Sequence, residues 1–423
     1  MAHSRRDFLK ASFGASVLLL LDPPVPAFLA RLVSAGAGRR DHRDTVLVVI
    51  QLAGGNDGLN TVIPYGDDEY ARSRPTLRMT GNDVHKINEL LGFHPRMKAF
   101  MRLYEEGHLS IVQGVGYPNS SRDHSQAMRS WQTAAPEQPH CQTGWLGRAI
   151  DDAYRPDDAN VPGVFVGHIG RPLALNAEKA VVPSVRSLEE CILRPAPRPG
   201  SAQAHRRCLV RAAAAPRSTD GNPLLGFVQG VAADAYAGSR RVEAAIRSAA
   251  SARGVQYPGL QLSQMLKTVA QLIRADLGIR IYFTELGGSG FGGFDNHANQ
   301  RGNHGALLHE LSESVAAFAG DLKRDKVLDR VLVMTFSEFG RTVAENGRRG
   351  TGHGAAAPMF LVGGKLRGGL VGSHPSLVDL DNGALKVHTD FRQVYATALD
   401  RWLGFDSQAV LGGRFRPLDV LRA

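Results

Sequence analysis

Three short, mostly apolar runs each lead into a glycine-rich loop bearing carboxylates or imidazoles, and this arrangement narrows the folds open to the chain. Val46–Ile50 precedes Gly54-Gly55-Asn56-Asp57. Ile279–Phe283 precedes Gly293-Phe294-Asp295-Asn296-His297, and Val331–Thr335 precedes Ser337-Glu338-Phe339-Gly340. A fourth loop, Gly350-Thr351-Gly352-His353-Gly354, follows closely. Runs of this kind read as buried strands. In an open α/β sheet, ligands bind outside the carboxyl ends of the strands. Oxygen and nitrogen donors far apart in sequence are therefore expected to meet at one edge, where they could hold a divalent metal: Zn, Ca or Mg.

The intervening segments supply the covering layers. His94–Glu106 has helical apolar spacing at Met97, Phe100, Met101 and Tyr104. Leu109–Val115 reads as another strand, followed by a loop over Gly116–Asp123 and a helix through Trp131. Residues 223–276 look helical, and His304–Arg324 and Thr389–Leu403 read as later helical stretches around the strand Met359–Val362. Strands separated by helices predict an α/β fold with a mainly parallel central sheet covered on both faces. Residues 186–222 are dominated by proline, alanine and arginine, which predicts an irregular insertion in a single domain spanning 45–423.

Asp57 sits where Gly54, Gly55 and Gly58 let the backbone turn sharply. Asp295 and His297 are two apart, so an extended loop can direct both to one cation. Glu338 follows a buried strand, and His353 lies between two glycines. Asp57, Asp295, His297, Glu338 and His353 are thus the expected metal ligands. His304, at the expected start of its helix, reads as a capping or packing residue. The loop Gly116–Ser125 is the expected catalytic element. Arg122 would clamp a phosphoryl or sulfuryl oxygen, and His124 would move a proton. Ser121, or its neighbours Ser120 and Ser125, would supply a nucleophilic hydroxyl.

The amino terminus is an address label. Ser4-Arg5-Arg6-Asp7-Phe8-Leu9-Lys10 is a twin-arginine pattern, followed by the apolar Val17–Leu21 and the small residues Ser34-Ala35-Gly36-Ala37. Residues 1–37 are therefore expected to direct export to the periplasm or beyond through the twin-arginine translocase. The apolar run is far below the roughly 20 residues of a membrane span, so none is expected in the mature protein. The formal net charge is +10, and losing residues 1–37 leaves +8. That surface favours an anionic small molecule or polysaccharide as substrate. Nucleic acid is excluded as a partner by export and by the lack of basic blocks interleaved with aromatics. None of the three cysteines, Cys141, Cys191 and Cys208, belongs to a Cys-x-x-Cys pair, which argues against a zinc–thiolate site. Cys191 and Cys208 are the expected disulfide partners.

Several of these motifs resemble one family. Val48-Val49-Ile50-Gln51-Leu52-Ala53-Gly54-Gly55-Asn56-Asp57-Gly58-Leu59-Asn60 is similar to the opening motif of exported bacterial proteins grouped as domain-of-unknown-function family 1501. Gly293–His297, Thr335–Arg341, Gly350–Gly354, Thr389–Tyr395 and Trp402–Gly404 resemble its later segments. The family is similar to the alkaline phosphatase and sulfatase superfamily, which implies an α/β sandwich with metals at the strand ends and action on phosphate or sulfate esters. Two departures bear on activity. Glu338-Phe339 stands where alkaline phosphatases carry Asp-His, and phenylalanine cannot ligate a metal. Gly352 and Asp123 replace the aspartate and serine usual in the family. The resemblance therefore implies a single metal rather than a pair. The alternative is a catalytically inactive member kept as a periplasmic or surface interaction protein.

Overall fold

A computed structural model describes residues 45–153, 163–180, 182–188, 244, 256–287 and 293–422. The twin-arginine segment, most of the expected insertion and the Cys191–Cys208 pair lie outside the described residues. Cys141 is a half-buried free thiol.

A nine-stranded sheet forms the centre. Along its main path the order is Gly369–Val371, Leu109–Gly116, Ala357–Gly363, Val331–Phe336, Val46–Leu52, Ile281–Leu286, Gly163–Val166 and Ser184–Val185. Thr389–Asp390 adds a short parallel pairing to Leu109–Gly116. Val46–Leu52 pairs in parallel with Ile281–Leu286 on one side and Val331–Phe336 on the other. Ala357–Gly363 is antiparallel to both of its neighbours and is the one reversed strand on the described path. Consequently the carboxyl ends of the Val46, Leu109, Ile281 and Val331 strands lie at the same edge as the amino end of the Ala357 strand. The loops named in the sequence all open at that edge.

The pleat sorts side chains into two layers. From Val46–Leu52, the residues Val46, Val48, Ile50 and Leu52 face one core, and Leu47 and Val49 face the other. Period-two alternation requires this split once both faces are covered. The first core is closed by helices Lys98–Glu105, Gln261–Arg274 and Gln300–Arg324. The second is closed by His124–Thr133, Trp145–Ala153 and Phe391–Ala396. Each fully buried valine or isoleucine contributes about 2 kcal/mol, so a strand buried along its whole length is a rigid base for the loop that follows.

Element boundaries differ from expectation for local reasons. The helix expected from His94 begins at Lys98: Pro95 disfavours helical geometry at His94, and Met97 caps the helix with a non-helical backbone of φ −109° and ψ 34°. The helix expected from His304 begins at Gln300, which moves His304 inside it. The strand expected from Ile279 is set at Ile281–Leu286, and the Arg280 side chain binds the Thr45 and Leu403 carbonyls instead. No helix among the described residues is long and apolar enough to cross a membrane.

Candidate metal centre

Four loops meet at the carboxyl edge. Gly54 makes one of their close approaches: its φ is +111°, and a Cβ there would lie 2.6 Å from the Phe294 and Asp295 nitrogens. Only glycine allows the first loop to pack directly on the Asp295 loop.

Asp295 Oδ1 is the point of convergence. His297 Nε2 lies 3.0 Å away, His353 Nε2 3.3 Å and His124 Nε2 3.4 Å. One ligand atom each from His124, Asp295 and His353 fall within 4.8 Å of one another. His297 Nε2 is also 2.9 Å from His353 Nε2. Two imidazole lone pairs repel at that distance, so a proton on His297 or a cation must intervene.

The ring orientations are fixed from behind. His353 Nδ1 is 2.6 Å from the Arg122 carbonyl, which can only accept, so Nδ1 carries the proton and Nε2 presents a lone pair. His124 Nδ1 is 2.9 Å from Glu338 Oε1, which assigns its tautomer in the same way. Its Nε2 is buried and has no hydrogen-bond partner. That hydrogen bond to Glu338 raises the His124 pKa against the opposing effect of burial. Glu338 is itself only 3% exposed. Its Oε1 accepts the Gly54 amide at 2.8 Å, and Oε2 lies 3.1 Å from Ser337 Oγ. Phe339, which cannot ligate, stacks on His353 with centroids 4.7 Å apart and lies 4.8 Å from the His124 ring. It forms an apolar wall behind the imidazoles.

Arg341 holds the carboxylate. Its guanidinium is buried and donates to Asp295 Oδ1 at 2.7 Å, to the Phe294 carbonyl at 3.0 Å, to the Gly55 carbonyl at 2.7 Å and to the Gly54 carbonyl. Burial alone would raise the Asp295 pKa, but the Arg341 hydrogen bond and charge carry it below the ordinary value. For His297, burial outweighs the attraction of Asp295 and lowers the pKa.

The residues expected from sequence are divided among distinct positions. Asp295, His297 and His353 come together. Glu338 stands behind His124 as its orienting acceptor. His124, expected to move protons, instead joins the donor cluster. Asp57 faces elsewhere: its Oδ2 is 2.5 Å from Arg74 Nη1 and accepts from Gln300 Nε2. The pair is 2% and 0% exposed, so this carboxylate is already neutralised by a buried guanidinium. Arg122 turns its guanidinium to the Asp381 and Asn382 carbonyls at 2.7 and 2.9 Å and contributes its own carbonyl to His353. Ser121 Oγ is 3.2 Å from Gln126 Oε1 and accepts the Asp123 amide, a local role at the helix start. His304 is a buried packing residue, with Nε2 3.0 Å from Asn56 Oδ1. Arg74 and Gln300 escaped notice in the sequence, where no pattern marks them. Arg341 carries no role in the sequence reading, although its place directly after Ser-Glu-Phe-Gly is a usable signal.

The donors fit a metal. A tetrahedral site with bonds near 2 Å has ligand–ligand edges of about 3.3 Å, and the observed separations around Asp295 Oδ1 span 3.0–3.4 Å. The orphaned His124 Nε2 gives the independent indication. Fold and site together define an α/β protein with a His/Asp cluster suited to metal at the carboxyl edge of its sheet. The chain belongs to the family described as "Protein of unknown function (DUF1501)", which it matches over residues 44–417. No curated protein matched the sequence. Among solved structures, it is similar to the zinc complex of the C-terminal periplasmic domain of EcEptC from Escherichia coli at 10% identity, TM-score 0.34, covering 75% of this chain and 72% of that one. It is similar to the PsFucS1 sulfatase from Pseudoalteromonas sp. at 11% identity, TM-score 0.37, covering 94% and 75%. Alkaline phosphatase from the Antarctic bacterium TAB5 matches at 12% identity, TM-score 0.32, covering 78% and 94%.

Proposed function

We propose that the protein is an exported, metal-dependent hydrolase of phosphate or sulfate esters. The observation that carries this reading is the convergence of the His124 and His353 Nε2 lone pairs on Asp295 Oδ1, each ring oriented from behind by an acceptor. His124, Asp295 and His353 would hold the metal, with His297 as a further donor. Imidazole-rich sites suit zinc, whereas calcium and magnesium favour oxygen donors, so of the three metals considered zinc fits best. When bound, the metal would act as a Lewis acid toward an ester oxygen and a water.

The protein's own groups have separate tasks. Glu338 and the Arg122 carbonyl hold protons on the Nδ1 atoms and leave Nε2 free. Arg341 keeps Asp295 ionised and fixed. For His297, burial lowers the pKa, which favours the neutral ring and keeps an imidazole lone pair available as the further donor. Export is supported by the Arg5-Arg6 pattern and its flanking zones; replacing both with lysine and locating the product by fractionation tests it.

One observation favours a second reading, a metal-binding protein without turnover. The expected anion clamp Arg122 and the expected nucleophile Ser121 have their side chains occupied elsewhere. Metal analysis of the purified protein followed by assays on aryl phosphates and aryl sulfates separates the two. The hydrolase reading requires bound metal and a turnover abolished by Asp295→Ala and by His353→Ala. Bound metal without turnover of either ester class supports the second.

A further inference from the structure

We propose that Arg301, Arg348 and Arg349 form a subsite for an anionic group of the ligand other than the ester at the Asp295 cluster, so that the preferred ligand is a polyanion. This rests on reading that cluster as the reaction centre.

The hairpin Asn346–Gly350 joins the strands Arg341–Glu345 and Thr351–His353. Asn346 Oδ1 accepts the amides of Arg348 at 2.9 Å and Gly350 at 3.2 Å, and Arg349 adopts φ +57°. The turn is fastened to the metal loop. The Asn299 and Gln300 amides donate to the Arg348 and Arg349 carbonyls at 3.0 Å each, and Asn346 Nδ2 donates to the His297 carbonyl at 3.0 Å. A Cβ on Gly350 would lie 2.2 Å from the His297 carbonyl carbon. Arg348 and Arg349 are therefore held beside His297, with Arg301 on the first turn of the adjoining helix.

All three side chains are exposed, and among the described residues no carboxylate forms an ion pair with them. Some other exposed arginines of the protein do have such partners, as Arg72 has Glu69 and Arg324 has Asp325. Arg301 donates to the Arg78 carbonyl at 3.3 Å, and the acidic group it influences, Asp83, is already bound by Thr80. Three like charges carried on these adjoining backbone segments raise the local concentration of anions. Guanidinium forks are matched to sulfate and phosphate oxygens. A monoanionic ester at the cluster leaves this rim unused; a ligand with a second charged group would engage both.

The test compares wild type with the Arg348→Ala/Arg349→Ala double variant and with Arg301→Ala. Arg102→Ala serves as a control, because it is exposed on the helix that enters the start of the Leu109 strand, at the opposite edge. Dextran sulfate is titrated calorimetrically into EDTA-treated protein, so the readout needs neither metal nor turnover, and neutral dextran is run beside it. The proposal requires salt-sensitive binding of dextran sulfate alone, weakened about tenfold for each arginine removed and unchanged in Arg102→Ala. With metal restored, KM for a polyanionic ester should rise in the double variant, while a monoanionic aryl ester is unaffected. Equal binding by the double variant, Arg301→Ala and Arg102→Ala overturns the subsite. Arginine-dependent binding without hydrolysis of any ester keeps the subsite and overturns the hydrolase reading.

Discussion

His124 Nδ1 lies 2.9 Å from Glu338 Oε1, and the same oxygen accepts the Gly54 amide. One buried carboxylate thus couples the orientation of an imidazole in the His/Asp cluster to the position of the loop after the first strand. Glu338→Gln keeps the volume but removes the charge that holds Nδ1 protonated. Outer partners of this kind are worth about 10–100-fold in metal affinity, and a loss in that range is expected by competition with a chelating dye. Unchanged affinity would show that His124 is oriented by something else.

Asp57 and Arg74 form a buried pair apart from the Asp295 cluster. Asp57→Asn leaves the guanidinium buried without its counter-charge, a change that costs about 3–5 kcal/mol. Chemical denaturation should show that loss, while metal bound per chain stays the same. A fall in metal stoichiometry with unaltered stability would restore Asp57 as a ligand.

Arg341→Lys keeps the charge and loses the fork. A single ammonium cannot serve Asp295 and the carbonyls of Gly54, Gly55 and Phe294 together, and each carbonyl left unpaired costs about 1–3 kcal/mol. The variant should melt at lower temperature and bind metal more weakly. A melting curve that overlays the wild type would refute this account.

Gly54→Ala places a methyl group against the Phe294 and Asp295 backbone in a conformation that costs an L-residue about 1–2 kcal/mol even without contact. The expected outcome is a chain that folds less stably and loses metal, because the two loops must separate. Circular dichroism melts together with metal content check it.

Acid should destabilise the protein through His94 and His304. Burial lowers their pKa values from 6.5 to about 3 and about 4. In the unfolded chain both rings take protons below about 6.5, whereas the folded protein excludes them until much lower pH. Their contribution to stability is therefore constant above about 6.5 and falls as the pH drops from there toward 4. Melting temperatures measured from pH 7 to pH 4 should decline, and His304→Gln should flatten the profile. An unchanged slope in that variant would remove His304 from the explanation.

The layered α/β fold was legible because apolar runs and helical spacing are local properties. So were the loops that bear Asp295, His297 and His353, since strands buried on both faces must deliver their following loops to one edge. What each carboxylate does there was not legible. Asp57 and Glu338 look equivalent in sequence, both lying just after buried strands. Arg74, arriving from a separate helix end, claims the first, and His124, at the start of the helix that follows a different strand, claims the second. Ser121 and Arg122 carry the residue types of a catalytic loop, but backbone direction turns their side chains to Gln126 and to the Asp381–Asn382 carbonyls. Chain chemistry by itself determined which donors reach the carboxyl edge. Only tertiary packing decided which lone pairs face a common point, because hydrogen-bond partners more than two hundred positions away set the tautomers of His124 and His353, and the guanidinium partners of Asp57 and Asp295 arrive from separate elements.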